Sequence, residues 1–158
     1  VREPLAWSLG LGVRAAPGEV ADLVRGALAG PVDAAWNPPS WLLPHQRTAA
    51  QRLAARLAAF GGALLADAVG LGKTYVALAI AGRYARPVAV VPAHLVAQWE
   101  RAARQLGILL ALTSHEALSR GRPVPEADLL IVDEAHRFRN PETRRYDVLA
   151  RAAYRAPL

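Results

Sequence analysis

The hydrophobic residues of this chain gather into short unbroken runs separated by longer amphipathic stretches. "PVAVVP" (87–92), "ILLALT" (108–113) and "DLLIV" (128–132) contain no alternation of polar and apolar positions, and a fourth run, "ALLA", stands at 63–66. A strand with one solvated face alternates, so an unbroken run predicts a strand covered on both faces. Between the runs, apolar residues recur at helical spacing over 42–60, 73–85, 94–106, 114–120 and 141–153, with a loop at 121–127. Strands that alternate with helices predict an α/β fold, a mostly parallel sheet flanked by helices. One further helix is expected over 18–29, opened by Pro17 and closed by Gly30-Pro31. "WNPPSW" at 36–41 is the proline-rich break that divides an N-terminal helical extension of unassigned role, 1–36, from the α/β unit, 37–158.

Composition narrows the chemistry. The 158 residues are 53% hydrophobic and 20% charged, which is globular rather than disordered. The net charge of +6 suits a polyanionic partner. With no cysteine there is neither a disulfide framework nor a thiolate metal site, and the four histidines match no zinc-ligand spacing. No apolar run approaches the ~18 residues of a membrane span. The arginine and short apolar stretch at the N-terminus are interrupted by Glu3 and Pro4, so they are not read as a signal peptide.

Eighteen of the nineteen basic residues are arginine; the single lysine is Lys73, in "LLADAVGLGKTYVALA". A strand at 63–66, a glycine-rich turn and a helix opening at Gly-Lys-Thr form the layout of a P-loop. Gly70 and Gly72 let backbone N–H groups approach phosphate oxygens, and the helix N-terminus adds partial positive charge. Lys73 would reach the β- and γ-phosphates as a compact charge on a flexible stem, which a planar guanidinium does not reproduce. Thr74 would place its hydroxyl on Mg²⁺. The general pattern has glycine where this chain has Asp67.

Sixty residues after that lysine, "ADLLIVDEAHRF" ends an apolar run in two carboxylates. A parallel sheet presents ligands at the carboxyl ends of its strands, so Asp133 and Glu134 are placed where the phosphates would lie. Asp133 would hold Mg²⁺ through water, and Glu134 would orient and deprotonate the attacking water. Phosphoryl transfer needs mainly positioning and charge stabilisation, so one loop, one metal and one base form a sufficient minimum.

In order along the chain, "LLPHQ", "LLADAVGLGKT", "VVPAHLVAQW", "TSHEAL" and "DEAHRFRN" resemble the first RecA-like lobe of a superfamily-two helicase core, most closely a Swi/Snf-related DNA translocase. The resemblance covers residues 41–153. It implies a P-loop nucleoside triphosphatase with ATP and Mg²⁺ as cofactors, duplex DNA as partner and a cytoplasmic location. The implied nucleotide-binding set is Gln46, Asp67, Gly70, Leu71, Gly72, Lys73, Thr74 and Tyr75, with Gln46 reading the adenine edge beside His45 or Trp41. Pro92, Ala93 and His94 on one side, and Thr113 and Ser114 on the other, would meet nucleic-acid phosphates or serve only as helix caps. His136 would couple nucleotide state to nucleic-acid binding. Gln98 and Trp99 would help dock their helix, with Trp99 in the core rather than stacked on a base. The basic run from Arg137 to Arg155 divides between phosphate contact and a solvated, internally paired helix face.

The sequence also departs from that family. Ala68 stands where the family's loop commonly has an acidic residue, and only thirteen residues separate Trp99 from Thr113, where the family fits another strand and helix. The chain stops where a Ser/Thr-Ala-Thr strand would begin, so a lobe incomplete at its C-terminus, nearly inactive without a second lobe, is expected. Two further readings stay open: an RNA- or DNA-unwinding helicase, and a non-catalytic nucleotide- or nucleic-acid-binding module.

Overall fold

The computed structural model describes residues 32–66 and 70–156, all within one compact unit. The helix expected over 18–29 lies outside them, as does Asp67. Helix α1 (Pro44–Phe60) has proline at its first position, where the missing N–H costs nothing. Its buried residues Gln46, Ala50, Ala54 and Leu57 form one stripe at helical spacing. Helix α2 (Lys73–Ala81) buries Val76 and then every residue from Leu78 to Ala81, so it lies inside the fold. Alanines at the α1–α2 contact (Ala50, Ala54, Ala79, Ala81) let the two helices approach closely.

Strands β1 (Pro87–Val91), β2 (Ala111–Ser114) and β3 (Leu129–Val132) form a parallel sheet in the order β2-β1-β3. Every residue of the central strand is buried. Ala89 and Val91 face α2 and helix α3 (Val96–Gln105) through Leu78, Trp99, Ala102 and Ala103. Val88 and Val90 face the opposite side, with Leu118 of the short helix α4 (His115–Ser119), Phe138, and the flank of helix α5 (Arg144–Ala153). The mixed α/β architecture with a parallel sheet between helices is therefore as expected, in the form of a partial RecA-like P-loop lobe. Among the described residues no helix is long and apolar enough to cross a membrane.

Four boundaries differ from the sequence pattern, each for a physical reason. The run at 63–66 is not a strand: Ala63 and Leu65 pack inward against the α1–α2 clusters while Leu64 is 72% exposed, and no ladder joins the run to β3. Helix α2 stops at Ala81 rather than 85, because the Asp128 carboxylate accepts from the amides of Ala85 and Arg86 at 2.9 and 2.8 Å and draws them toward the sheet. Strand β2 starts at Ala111 rather than 108, since the Ile108 amide still donates to Ala103 at the end of α3, and Leu109 is exposed. Helix α5 starts at Arg144 rather than 141, because Asn140 takes the Glu142 amide on its side chain and the Thr143 hydroxyl on its carbonyl.

Candidate active site

The register brings three chain reversals to one edge. Val91 lies opposite Ser114 and Val90 opposite Val132, so Pro92, His115 and Asp133 leave the sheet side by side at its carboxyl ends. A cleft of about 1020 Å³ opens beside that edge. Gly70, Gly72, Lys73, Thr74 and Tyr75 line one wall, and Asp133, Glu134 and His136 the other. The two motifs sixty residues apart thus share one cavity. The cleft continues along residues 63–66 to the outer edge of β3.

Two glycines stand just before α2. Gly70 has φ 88° and Gly72 φ 74°, a left-handed backbone that side-chain-bearing residues adopt only at a cost. A Cβ on Gly72 would run into the side-chain amide nitrogen of Gln46. Gln46 is buried and engaged at both ends: its Oε1 accepts from the Leu43 amide, and its Nε2 donates to the Leu71 carbonyl, each at 3.0 Å. Gln46 therefore braces the glycine loop from α1. Tyr75 and Trp41 are half-exposed and meet edge to face, with ring centroids 6.4 Å apart. Lys73 and Thr74 are half-buried at the first two positions of α2.

On the opposite wall Asp133 is held at every polar atom. Its amide donates to Val90 at 3.0 Å, its Oδ2 accepts from the Trp99 indole N–H at 3.2 Å, and its Oδ1 accepts from the Glu134 amide at 2.9 Å. Its carbonyl accepts from His115 Nε2 at 3.0 Å. Glu134 has φ 52°, the only left-handed residue other than glycine among the described residues. That conformation carries strain. Glu134 Oε2 lies 3.1 Å from His136 Nδ1, both side chains well exposed.

The residues expected to meet nucleic acid sit together at the same edge, around α4. The Ala93 amide donates to Glu116 Oε2 at 3.0 Å, and the Ser114 hydroxyl caps α4 by accepting from the Ala117 amide at 3.1 Å. One of the N–H groups offered to a phosphate is thus already satisfied by a carboxylate, and Ser114 does act as a helix cap. Glu116 is held below the usual carboxylate range first by its own backbone amide and further by that of Ala93, against some desolvation. Pro92 is buried, Ala93 and His94 exposed, and Thr113 half-buried. In the basic C-terminal run, Arg151 pairs with Asp147 at 3.1 Å one helical turn away, as a solvated helix face would. Arg145 instead lies over the Phe138 ring.

Two residues, Trp99 within "VVPAHLVAQW" and His115 within "TSHEAL", make contacts that no local pattern indicates. Trp99, 3% exposed, is in the core as expected, yet its indole N–H also clamps Asp133. His115 follows "TS" in the chain, and nothing local indicates that its ring reaches Asp133 from the far side of β1. Burial pushes the His115 imidazole below its ordinary value, opposed in part by the Asp133 carbonyl it donates to.

Mg²⁺ takes oxygen ligands, keeps several waters and is commonly held by one or two protein groups together with phosphates. Among the described residues no cluster of three or more His, Cys, Asp or Glu could hold a metal alone, while Thr74 and Asp133 line one cavity. The donor set fits an ion that arrives with a nucleotide.

No protein-family model matches the chain. The chain is similar to an uncharacterized ATP-dependent helicase, YqhH, of Bacillus subtilis (strain 168), with 31% identity over 131 residues. The alignment takes in 66% of this chain and 23% of that relative, so the chain spans about a quarter of the relative's length.

Proposed function

We propose that residues 37–158 are the first ATP-binding lobe of a DNA-dependent ATPase of the Swi/Snf-related type, which couples ATP hydrolysis to movement along duplex DNA, with residues 1–36 as an extension of it. The observation that carries the reading is the shared cleft: Lys73 and Thr74 at the N-terminus of α2 line the same cavity as Asp133 and Glu134 at the end of β3. Similarity to a protein named an ATP-dependent helicase supports it.

In this reading the amides around Gly70, Leu71 and Gly72 and the start of α2 receive the phosphates, where partial positive charge is already in place. Lys73 neutralises the β- and γ-phosphates. Thr74 and Asp133 would hold Mg²⁺, which would supply charge neutralisation to the phosphates. Glu134, which lines the cleft, takes the proton of the attacking water. Gln46 braces the loop and offers its second Nε2 hydrogen to the adenine edge, beside Tyr75 and Trp41; Asp67 completes the nucleotide set. Pro92, Ala93, His94, Thr113 and Ser114 meet nucleic-acid phosphates, and His136, paired with Glu134, couples the two ligands. A second lobe supplies an arginine finger; such groups contribute ~10³–10⁵ in rate, so the chain alone turns ATP over barely above background.

Equilibrium binding of ATP to the 158-residue chain, with and without Mg²⁺, tests the reading. Binding should depend on Mg²⁺ and weaken about tenfold or more in Lys73→Ala, the loss of one charge-assisted contact. A signal indifferent to both would favour a non-catalytic module. The relative's name favours one second reading, an unwinding helicase. Stimulation by duplex DNA against RNA in a two-lobed protein, at stated salt, separates the two.

A further inference from the structure

Asp133 is gripped from two sides, and one grip comes from His115, which lies within "TSHEAL" but carries none of the roles that motif implies. The Asp133 carbonyl can only accept, so the His115 ring that meets it at 3.0 Å carries its hydrogen on Nε2. The ring starts at the end of β2 and reaches the end of β3 past the central strand, about two strand spacings, ~9–10 Å. Phe138 holds it edge-on, with centroids 4.8 Å apart. His115 is 1% exposed, and among the described residues its Nδ1 is buried with no hydrogen-bond partner at bonding geometry. A phenylalanine or leucine would fill the same space without that orphaned nitrogen, so packing alone does not account for an imidazole here.

What the imidazole adds is a hold on the peptide between Asp133 and Glu134. That peptide governs both carboxylates. Its N–H is the donor to Asp133 Oδ1 at 2.9 Å, and it leads into the left-handed φ of 52° at Glu134. With its carbonyl tied to His115, the peptide cannot rotate to relieve the Glu134 backbone without breaking a buried hydrogen bond.

We propose that His115 is a positioning residue for the Asp133–Glu134 pair: by holding the Asp133 carbonyl it keeps the joining peptide in the orientation that aims the Asp133 carboxylate at a nucleotide-bound Mg²⁺. The proposal rests on the ATP reading above. Outer hydrogen-bond partners of this kind typically change metal affinity by about 10–100-fold when removed.

The test measures binding of a fluorescent ATP analogue to the 158-residue chain, in EDTA and across a Mg²⁺ titration, for wild type, His115→Phe and His115→Gln, with thermal unfolding alongside. Phenylalanine keeps the ring against Phe138 and removes the donor; glutamine restores an N–H donor without the ring. Binding in EDTA should be equal in all three. The tightening produced by Mg²⁺ should fall about tenfold or more in His115→Phe and largely return in His115→Gln. A donor-free His115→Leu arm carries the comparison where phenylalanine prevents folding. Full Mg²⁺ tightening in the donor-free variant, or equal loss in His115→Gln, overturns the proposal and leaves His115 a core residue. Absence of Mg²⁺ tightening in the unmutated chain overturns the ATP reading itself, and the proposal with it.

Discussion

The indole N–H of Trp99 donates to Oδ2 of Asp133 at 3.2 Å, joining the core face of α3 to the tip of β3. One side chain thus serves the apolar cluster with Leu78, Ala89 and Val91 and also orients a carboxylate on the cleft wall. Trp99→Phe keeps most of the apolar contact and removes the donor. A hydrogen bond to a charged group is worth about 1.5–3 kcal/mol, and a loss in that range is expected in urea unfolding with an unchanged m-value. Asp133→Asn, which retains an acceptor oxygen, should lose less.

Gly70 and Gly72 should respond differently to alanine although both are left-handed. Among the described residues nothing lies within 4 Å of a Cβ on Gly70, so Gly70→Ala should cost only the backbone penalty, about 1 kcal/mol. At Gly72 the added methyl displaces Gln46 from the Leu71 carbonyl as well. Gly72→Ala should therefore cost about 1 kcal/mol more than Gly70→Ala in paired unfolding curves. Equal losses would show that Gln46 does not brace the loop.

Glu134 offers a trade between stability and activity. Its φ of 52° is strained for any residue with a Cβ, and its contact with His136 is solvent-exposed and so contributes little. Glu134→Gly should raise stability by about 0.5–1 kcal/mol while abolishing hydrolysis in a two-lobed protein. Thermal unfolding and a turnover assay on the same preparation check both halves.

Glu116 should give the region around α4 a dependence on acid. Its carboxyl is held below 4.5 by its own amide and then by that of Ala93, so its stabilising contribution is complete above that value and disappears as pH falls through the folded value. The stability difference between wild type and Glu116→Gln should be constant from about pH 7 to about pH 5 and shrink toward about pH 3, because the unfolded state binds the proton more readily. Urea midpoints across that range measure it. A difference that grows in acid would contradict the assignment.

Much of this architecture was legible from pattern. Three unbroken apolar runs contain the three parallel strands, although only the central β1 is buried throughout while β2 is exposed to half-buried, and the helices at 42–60 and 94–106 are present with little change. Legibility failed where a hydrogen bond to a side chain, distant for Asp128 and local for Asn140, overrode the apolar period. Asp128 ends α2 early, and Asn140 delays α5. The four residues at 63–66 are too few for an apolar run to distinguish a strand from a coil, and their packing on α1 and α2 settled the matter by side chains rather than by a ladder.

The sequence by itself determined the elements, the single lysine at a helix start and the acidic pair at a strand end, because each of these is a local pattern of periodicity or charge. Only the tertiary structure decided that Lys73 and Asp133 line one cleft, that Trp99 and His115 grip Asp133 from opposite directions, and that Glu116 takes an amide one strand away. Those meetings depend on strand order and register, which are set by long-range pairing. No window of neighbouring residues contains that information.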